Sequence, residues 1–293
     1  AVFAQWWDYG YFIQTFGERA TLSDGGNALP GINYLIGRHL FTAENDTEAL
    51  EFLAAKNVTH VLTLSNDIGA YSAISSIGSN VDYDRLSFFT PFVLDSDLSQ
   101  EKRNGSQLVY IGNSPLDEDF VVDEGIYVAY SSVVSSLSVF VLVENGTIVA
   151  IEQPELTLSN LQNSQSFSLA CIFYEGEEIL FEDADIDGCI QILPSSDGTL
   201  VHPAGAALYL SPRTRYTWFA QHYLFGKDSE YFTTVYNDVD TIPLALYRGR
   251  IVGPLKIWEV HYPQNLTIPE DYFTNTIPEG VEQVGKAKDL FFH

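Results

Sequence analysis

The sequence predicts an α+β protein in which a mixed α/β core is interrupted by a β-rich region. Helix and strand patterns alternate over the first 80 residues, whereas short apolar runs between turn residues fill residues 81–204. Hydrophobic residues occupy 46% of the 293 positions, which is enough for a sizeable core. We therefore expect a core formed by residues 1–80 and 205–262, a β-rich insertion at 81–204 and an extended tail at 263–293.

The first 80 residues predict a helix, a strand and a second helix. Asn45 with Glu48 three positions later is typical of a capped helix start, and apolar residues follow at helical spacing. The apolar run at residues 58–64 predicts a buried strand. Ser65 or Asn66 is then placed to cap the second helix.

The β-rich region is predicted from short apolar runs and from hairpin turns such as Asn145-Gly146 and Glu175-Gly176. The predicted strands lie at residues 107–111, 125–130, 137–143, 146–151, 167–174, 178–181 and 189–193. Residues 126–143 are the best candidate for a membrane span, but the serines among them favour paired strands instead.

Beyond this region the pattern returns to mixed structure. Residues 214–223 predict a helix, and residues 231–236 and 255–261 predict strands. Three prolines and weak periodicity from residue 263 onward predict an extended tail.

The charge balance excludes one class of partner. The chain has 39 acidic and 14 basic side chains and a net charge of −25, which repels phosphate backbones, so we exclude nucleic acid as a partner. Abundant Ser, Thr and Asn are typical of exported proteins. Five glycosylation sequons also indicate an exported protein; they begin at Asn45, Asn57, Asn104, Asn145 and Asn265. The sequence has no methionine and no signal-peptide pattern, so we expect a processed or excised piece of a longer protein.

The segment Trp6-Trp7-Asp8-Tyr9-Gly10 combines complementary hydrogen-bonding groups. Indole nitrogen only donates, an ionised carboxylate only accepts, and a hydroxyl does both. Two indoles and one carboxylate can therefore saturate a single Ser or Thr hydroxyl, and such a site rejects a ligand that lacks it. An aromatic core strand with a capping aspartate is the alternative explanation.

This segment reproduces the WWDYG signature. With residues 11–13 and the turn at 23–27, it resembles the catalytic subunits of oligosaccharyltransferases, archaeal members included. In that family the two tryptophans and the aspartate bind the hydroxyl at the +2 position of the acceptor Asn-x-Ser/Thr. The resemblance implies this role for Trp6, Trp7 and Asp8, with Tyr9 and Gly10 in the same substrate-binding segment.

A second motif lies on the predicted helix that follows residue 65. Asp67-x-x-Ala70-x-x-x-Ile74 resembles the family motif Asp-x-x-Lys-x-x-x-Met/Ile, and its positions lie within roughly 60° on one helix face. Ala70 departs from the motif, because the lysine is missing. The resemblance implies substrate binding by Asp67 and Ile74, and we predict that Ile74 contacts the methyl group of a sequon threonine. An ordinary amphipathic helix is the alternative.

The resemblance also implies a division of labour. Residues 217–226 and 255–260 resemble the end of the family's core, whereas the β-rich middle resembles its variable insertion. A multi-pass membrane portion would hold a divalent metal, Mn or Mg, together with the lipid-linked oligosaccharide and the catalytic carboxylates. This chain would contain no catalytic or metal-binding residue and would bind the acceptor polypeptide at the extracytoplasmic face.

Two further features carry alternatives. Cys171 and Cys189 permit one disulfide, which we predict for an extracytoplasmic domain, although two buried free thiols are the alternative. The run Asp183-x-Asp185-x-Asp187 resembles the start of a calcium loop but lacks the later glutamate ligand, which favours an acidic hairpin. For the whole chain, the alternative function is that of a secreted, acidic cell-surface protein with a structural or glycan-binding role.

Overall fold

The computed structural model describes residues 1–82, 84–102, 105–122, 125–130, 132–144, 147–159 and 164–273. These residues form two compact units, each assembled from separate stretches of chain. Unit 1 consists of Ala1–Phe88, Tyr216–Pro243 and the described residues from Gly253 onward, and unit 2 consists of Phe89–Arg215 and Leu244–Val252. Residues 205–215, which the sequence analysis assigned to the core, lie in unit 2.

Numbered along the chain, the strands are β1 (Val2–Ala4), β2 (Ala20–Thr21), β3 (His60–Thr63), β4 (Thr90–Leu94), β5 (Gln100–Lys102), β6 (Gly105–Pro115), β7 (Phe120–Val122), β8 (Ile126–Val128), β9 (Val133–Glu144), β10 (Thr147–Ile151), β11 (Glu155–Ser159), β12 (Ser164–Tyr174), β13 (Glu177–Leu180), β14 (Ile186–Ser196), β15 (Val201–Leu210), β16 (Phe232–Asn237), β17 (Ala245–Tyr247), β18 (Arg250–Val252) and β19 (Lys256–Val260). The helices are α1 (Gly10–Thr15), α2 (Pro30–Ile36), α3 (Asp46–Ala55), α4 (Asn66–Ile77) and α5 (Pro212–Arg215). Wider π-helical segments lie at Gly37–Phe41 and Ala220–Leu224, and 3-10 turns lie at Trp7–Tyr9 and Glu270–Phe273. Helices and strands together confirm the predicted α+β class.

Unit 1 contains a five-stranded sheet with the order β16-β19-β3-β1-β2. Strand β1 pairs in parallel with both β2 and β3, whereas β19 pairs antiparallel with β3 and β16. Parallel neighbours need a crossover connection, which α1 provides between β1 and β2, and α2 and α3 provide between β2 and β3. The carboxyl ends of β1, β2 and β3 consequently lie along one edge of the sheet.

Two predicted helices of unit 1 have identifiable starts. Helix α3 begins as predicted, because the Asn45 side chain accepts a hydrogen bond from the Glu48 backbone nitrogen at 3.0 Å. Helix α4 follows Ser65, but the Ser65 side chain makes no capping bond. The carboxylate of Asp67 accepts from the Leu64 nitrogen instead, at 3.0 Å.

An aromatic cluster fills the core of unit 1. The Phe219 ring lies 5.5 Å from Phe41 and 5.0 Å from Tyr223, measured between ring centroids. The single helix predicted at residues 214–223 is wrong, because the helical segments are interrupted there. The backbone nitrogen of Trp218 donates to the Ala43 oxygen at 2.8 Å rather than to a helical carbonyl.

Unit 2 contains a twelve-stranded sheet with the order β13-β12-β11-β9-β6-β4-β15-β14-β17-β18, to which β5 and β10 pair at the side. An additional parallel pairing of β12 with β14 closes the strands from β12 to β14 into a ring. The buried apolar cluster of this unit includes Phe92, Tyr110, Leu137 and Ile190. All the strands predicted in the β-rich region are present, whereas β4, β5, β7, β11 and β15 were not predicted.

The residues considered as a membrane span form strands. Residues 126–143 contribute β8 and most of β9, as predicted. Among the helices that the structure describes, none is long and apolar enough to cross a membrane.

A disulfide joins Cys171 of β12 to Cys189 of β14, with 4.5 Å between the Cα atoms. The two residues are register partners in the pairing that closes the ring, and both are fully buried. In the nearby acidic segment, the Asp185 carboxylate accepts bonds from the Ser168 nitrogen and hydroxyl at 2.8 and 2.7 Å, and Asp187 pairs with Arg215.

We predict that replacing both cysteines by alanine lowers the free energy of unfolding by ~3 kcal/mol, because the crosslink restricts the unfolded chain. Urea unfolding of the oxidised protein and of the double variant measures this difference. Wild-type protein unfolded with reductant is the control and should match the variant. Two free thiols in the unfolded, unreduced wild type would contradict the disulfide.

Candidate functional site

The predicted site segments converge on one edge of the unit 1 sheet. Trp6 follows the carboxyl end of β1, Ser23 follows β2, and Asp67 lies on α4 directly after β3. Parallel strands place such segments side by side, and this edge is where α/β sheets commonly bind ligands. The WWDYG segment, the 23–27 turn and the second motif are thus neighbours in space.

The two tryptophans lie in different surroundings. Trp6 is 2% exposed, and its ring meets Phe41 edge-on at 6.2 Å, so it belongs to the aromatic core. Trp7 is partly exposed, and Asp8 is exposed. Of the two tryptophans expected to bind a ligand, the structure therefore leaves only Trp7 accessible.

Within the described part of the chain, no donor forms a hydrogen bond to the Asp8 carboxylate. Partial desolvation nevertheless raises the pKa of Asp8 above its ordinary value. An exposed acceptor of this kind is available to a hydroxyl-bearing ligand.

Tyr9 links the WWDYG segment to the second motif. Its hydroxyl donates to Asp67 Oδ1 at 3.2 Å, while Asp67 Oδ2 accepts from the Leu64 nitrogen at 3.0 Å. Burial raises the pKa of Asp67 to about 7, and the nearby charge of Asp8 acts in the same direction. Burial and the Asp67 carboxylate also raise the pKa of Tyr9.

Gly10 allows the 23–27 turn to approach the WWDYG segment. A Cβ atom at position 10 would collide with the Ser23 oxygen and the Asp24 backbone. The Gln5 side chain holds the same turn from below, because its Nε2 donates to the Ser23 oxygen at 2.7 Å. The Asp24 carboxylate accepts from Gln14 and from the Gly26 nitrogen, and these bonds lower the pKa of Asp24.

The second motif faces inward. Asp67 and Ile74 are both fully buried, and a Cβ on Gly37 would collide with the Ile74 carbonyl oxygen. The exposed face of α4 consists of Asn66, Gly69, Ser72 and Ala73, with Ala70 partly exposed. In this structure Ile74 is a packing residue, and its contact with a threonine methyl stays a prediction.

Several residues that shape the site were not predicted from the sequence. Gln5 bonds to the 23–27 turn, and Phe41 packs against Trp6. Gly10 was predicted to lie in the substrate-binding segment, but the need for a residue without a side chain at this position was not predicted. A glycine at a fixed motif position can indicate that another backbone segment approaches closely, and this was the available signal for Gly10. Gln5 and Phe41 gave no signal, because their roles depend on contacts that are distant in sequence.

Comparisons with known proteins find one family similar to the first part of the chain. Residues 1–110 match the family model described as the STT3/PglB/AglB core domain. A comparison with curated proteins finds no match. The chain is similar to the crystal structure of the C-terminal domain of PglB from C. jejuni, with 14% sequence identity and a TM-score of 0.44, covering 89% of this chain and 94% of that chain.

It is also similar to the C-terminal globular domain of the oligosaccharyltransferase from Pyrococcus abyssi, with 13% identity and a TM-score of 0.38, covering 89% of this chain and 46% of that chain. The matched residues 1–110 include both predicted motifs. Residues 1–110 of the chain are therefore similar to the core domain of the STT3/PglB/AglB family.

Proposed function

We propose that unit 1 binds the acceptor sequon of an oligosaccharyltransferase, with Trp7 and Asp8 holding the hydroxyl of the +2 Ser or Thr. One observation carries this proposal: Trp7 and Asp8 are consecutive, accessible residues that follow the carboxyl end of the parallel strand β1. The carboxylate accepts the hydroxyl proton, and the Trp7 indole donates to the hydroxyl oxygen. A bond from Trp6 requires its ring to move out of the core.

The chemistry proposed is catalysis by positioning. Holding the +2 residue fixes the sequon asparagine two positions earlier, so that its amide nitrogen meets the sugar of the lipid-linked oligosaccharide. In the proposed division of labour, a membrane portion binds that donor and a divalent metal, Mn or Mg. This chain then supplies acceptor binding and has no turnover alone.

The proposed location is the extracytoplasmic face of a membrane. The disulfide between Cys171 and Cys189 supports it, because such bonds persist in oxidising compartments. The family match does not favour the alternative of a secreted structural or glycan-binding protein.

We expect Asp8→Ala to lower kcat/KM for a sequon peptide by about 10–100-fold in the full-length transferase, because the only acceptor for the hydroxyl proton is lost. Peptide glycosylation rates and the circular dichroism of the folded domain are the measurements. Asp240→Ala, which removes an exposed carboxylate elsewhere in unit 1, is the matched control. Normal glycosylation by a folded Asp8→Ala variant would show that Asp8 does not bind the acceptor.

The burial of the Asp67 carboxyl predicts a pH-dependent stability. The raised pKa of Asp67 stabilises the folded state at low pH, and this contribution is lost as the pH rises from about 4 to about 7. Asp67→Asn preserves the shape and can donate to the Tyr9 oxygen without carrying a charge. We therefore expect the variant to gain stability relative to wild type over this pH range, by urea unfolding at each pH. Asp240→Asn is the control, and parallel curves for wild type and Asp67→Asn would contradict the assignment.

The burial of Ile74 makes its role testable. Removing a buried isoleucine side chain costs about 2–5 kcal/mol, so we expect Ile74→Ala to lower the free energy of unfolding by that amount. If Ile74 only packs, the ratio of kcat/KM for matched Asn-x-Thr and Asn-x-Ser peptides stays unchanged. If the Thr/Ser ratio of kcat/KM falls toward 1 in Ile74→Ala or in the milder Ile74→Val, Ile74 contacts the threonine methyl as predicted from the sequence.

A further inference from the structure

A polar recess in unit 1 lies on the sheet strands away from the WWDYG segment. Its volume is about 350 Å³, which is in the range of small-ligand sites. Strands β16 and β19 form one side, and the segment after Ala220–Leu224 forms the other. Side chains from three elements line it, including His222, Lys227, Thr234 and Lys256.

Lys256 is the most unusual of these side chains. It is 9% exposed, and its Nζ donates to the Tyr223 carbonyl oxygen at 2.8 Å. Among the described residues, no carboxylate lies within ion-pair distance of this ammonium. An ammonium has three donors, so hydrogen-bonding capacity remains on a buried charge, and burial lowers the pKa of Lys256 to about 8.

His222 adds a buried polar atom without a hydrogen-bond partner. The ring is 2% exposed, its Nε2 lies 2.7 Å from Asp46 Oδ1, and its Nδ1 is buried with no hydrogen bond. The second oxygen of Asp46 accepts from the Ser229 hydroxyl at 2.7 Å. Asp46 is thereby held by these two donors and does not neutralise Lys256.

The remaining lining groups are mostly donors. Lys227 lies at the exposed rim and donates to Gln221 at 3.2 Å, while β16 contributes Thr233 and Thr234; the Thr233 hydroxyl lies 3.1 Å from His261 Nε2. Asp228 is the one lining carboxylate among the described residues, and it is exposed to solvent. Two of only 14 cationic side chains thus line one recess in a chain of net charge −25.

We infer that this recess binds a small tetrahedral oxyanion of the phosphate or sulfate type. A buried charge is costly unless it is paired, and an anion would pair with Lys256 and use its free donors. Donors reach the recess from β19, from β16 and from the segment at 226–229. Such different directions suit a tetrahedral anion better than a planar carboxylate.

Titration with sodium sulfate and sodium phosphate, balanced with sodium chloride to constant ionic strength, tests this inference. Trp258 lines the recess, so its fluorescence reports occupancy, and thermal unfolding gives a second readout. We expect saturable binding that weakens about tenfold or more in Lys256→Met. The affinity should also fall as the pH rises through about 8, because the anion binds the protonated ammonium of Lys256. The other titratable side chains that line the recess are His222, Lys227 and Asp228.

Two further variants keep the test decisive if Lys256→Met does not fold. Thr234→Val and Lys227→Met alter exposed lining residues and should each weaken binding by about three- to tenfold. Lys102→Met removes an exposed lysine of unit 2 and is the matched control, which should bind as wild type does. The inference is overturned by the absence of saturation, by binding that survives all three recess variants, or by an equal response to chloride alone.

Discussion

The parallel pairing of β1 with β2 and β3 is the constraint on which the candidate site depends. It places three segments that are distant in sequence at one edge of the sheet. The bond from Tyr9 to Asp67 and the close approach of Gly10 to Ser23 then join these segments in pairs. The turn that carries Asp8 is therefore followed directly by two residues, Tyr9 and Gly10, that are fixed against the neighbouring segments, which limits the freedom of this turn.

The same network makes the site part of the hydrophobic core. Trp6 contacts Phe41, which stacks on Phe219, and Phe219 stacks on Tyr223. A ligand that engages Trp6 must act against this packing, whereas one that uses Trp7 and Asp8 need not. The accessible pair Trp7 and Asp8 and the buried Trp6 are thus adjacent residues of one motif.

The sequence predicted those features that depend on local chemistry. The Asn45 cap, the strands of the β-rich region and the α+β class follow from patterns within a few residues. The orientation of α4 could not be predicted from the sequence, because it depends on a contact with the distant residue Gly37. Asp67 and Ile74 share a face with the apolar stripe of α4, and the close contact at Gly37 places that face inside the protein. Ring closure in unit 2 was equally inaccessible, since the parallel pairing of β12 with β14 has no local signal.

The position of β19 in the sheet has a consequence for the order in which the units are completed during translation. Strand β3 lies between β1 and β19, yet the whole stretch Phe89–Arg215 is synthesised before β19 emerges. Until then β3 presents an unpaired edge, which is a known hazard for association with other chains. The ring strands of unit 2 all emerge earlier, so that ring can close while the sheet beneath the WWDYG segment is still incomplete. In a nascent chain, the edge of β3 therefore stays unpaired until β19 has been synthesised. Premature termination between β3 and β19 would leave this edge unpaired permanently.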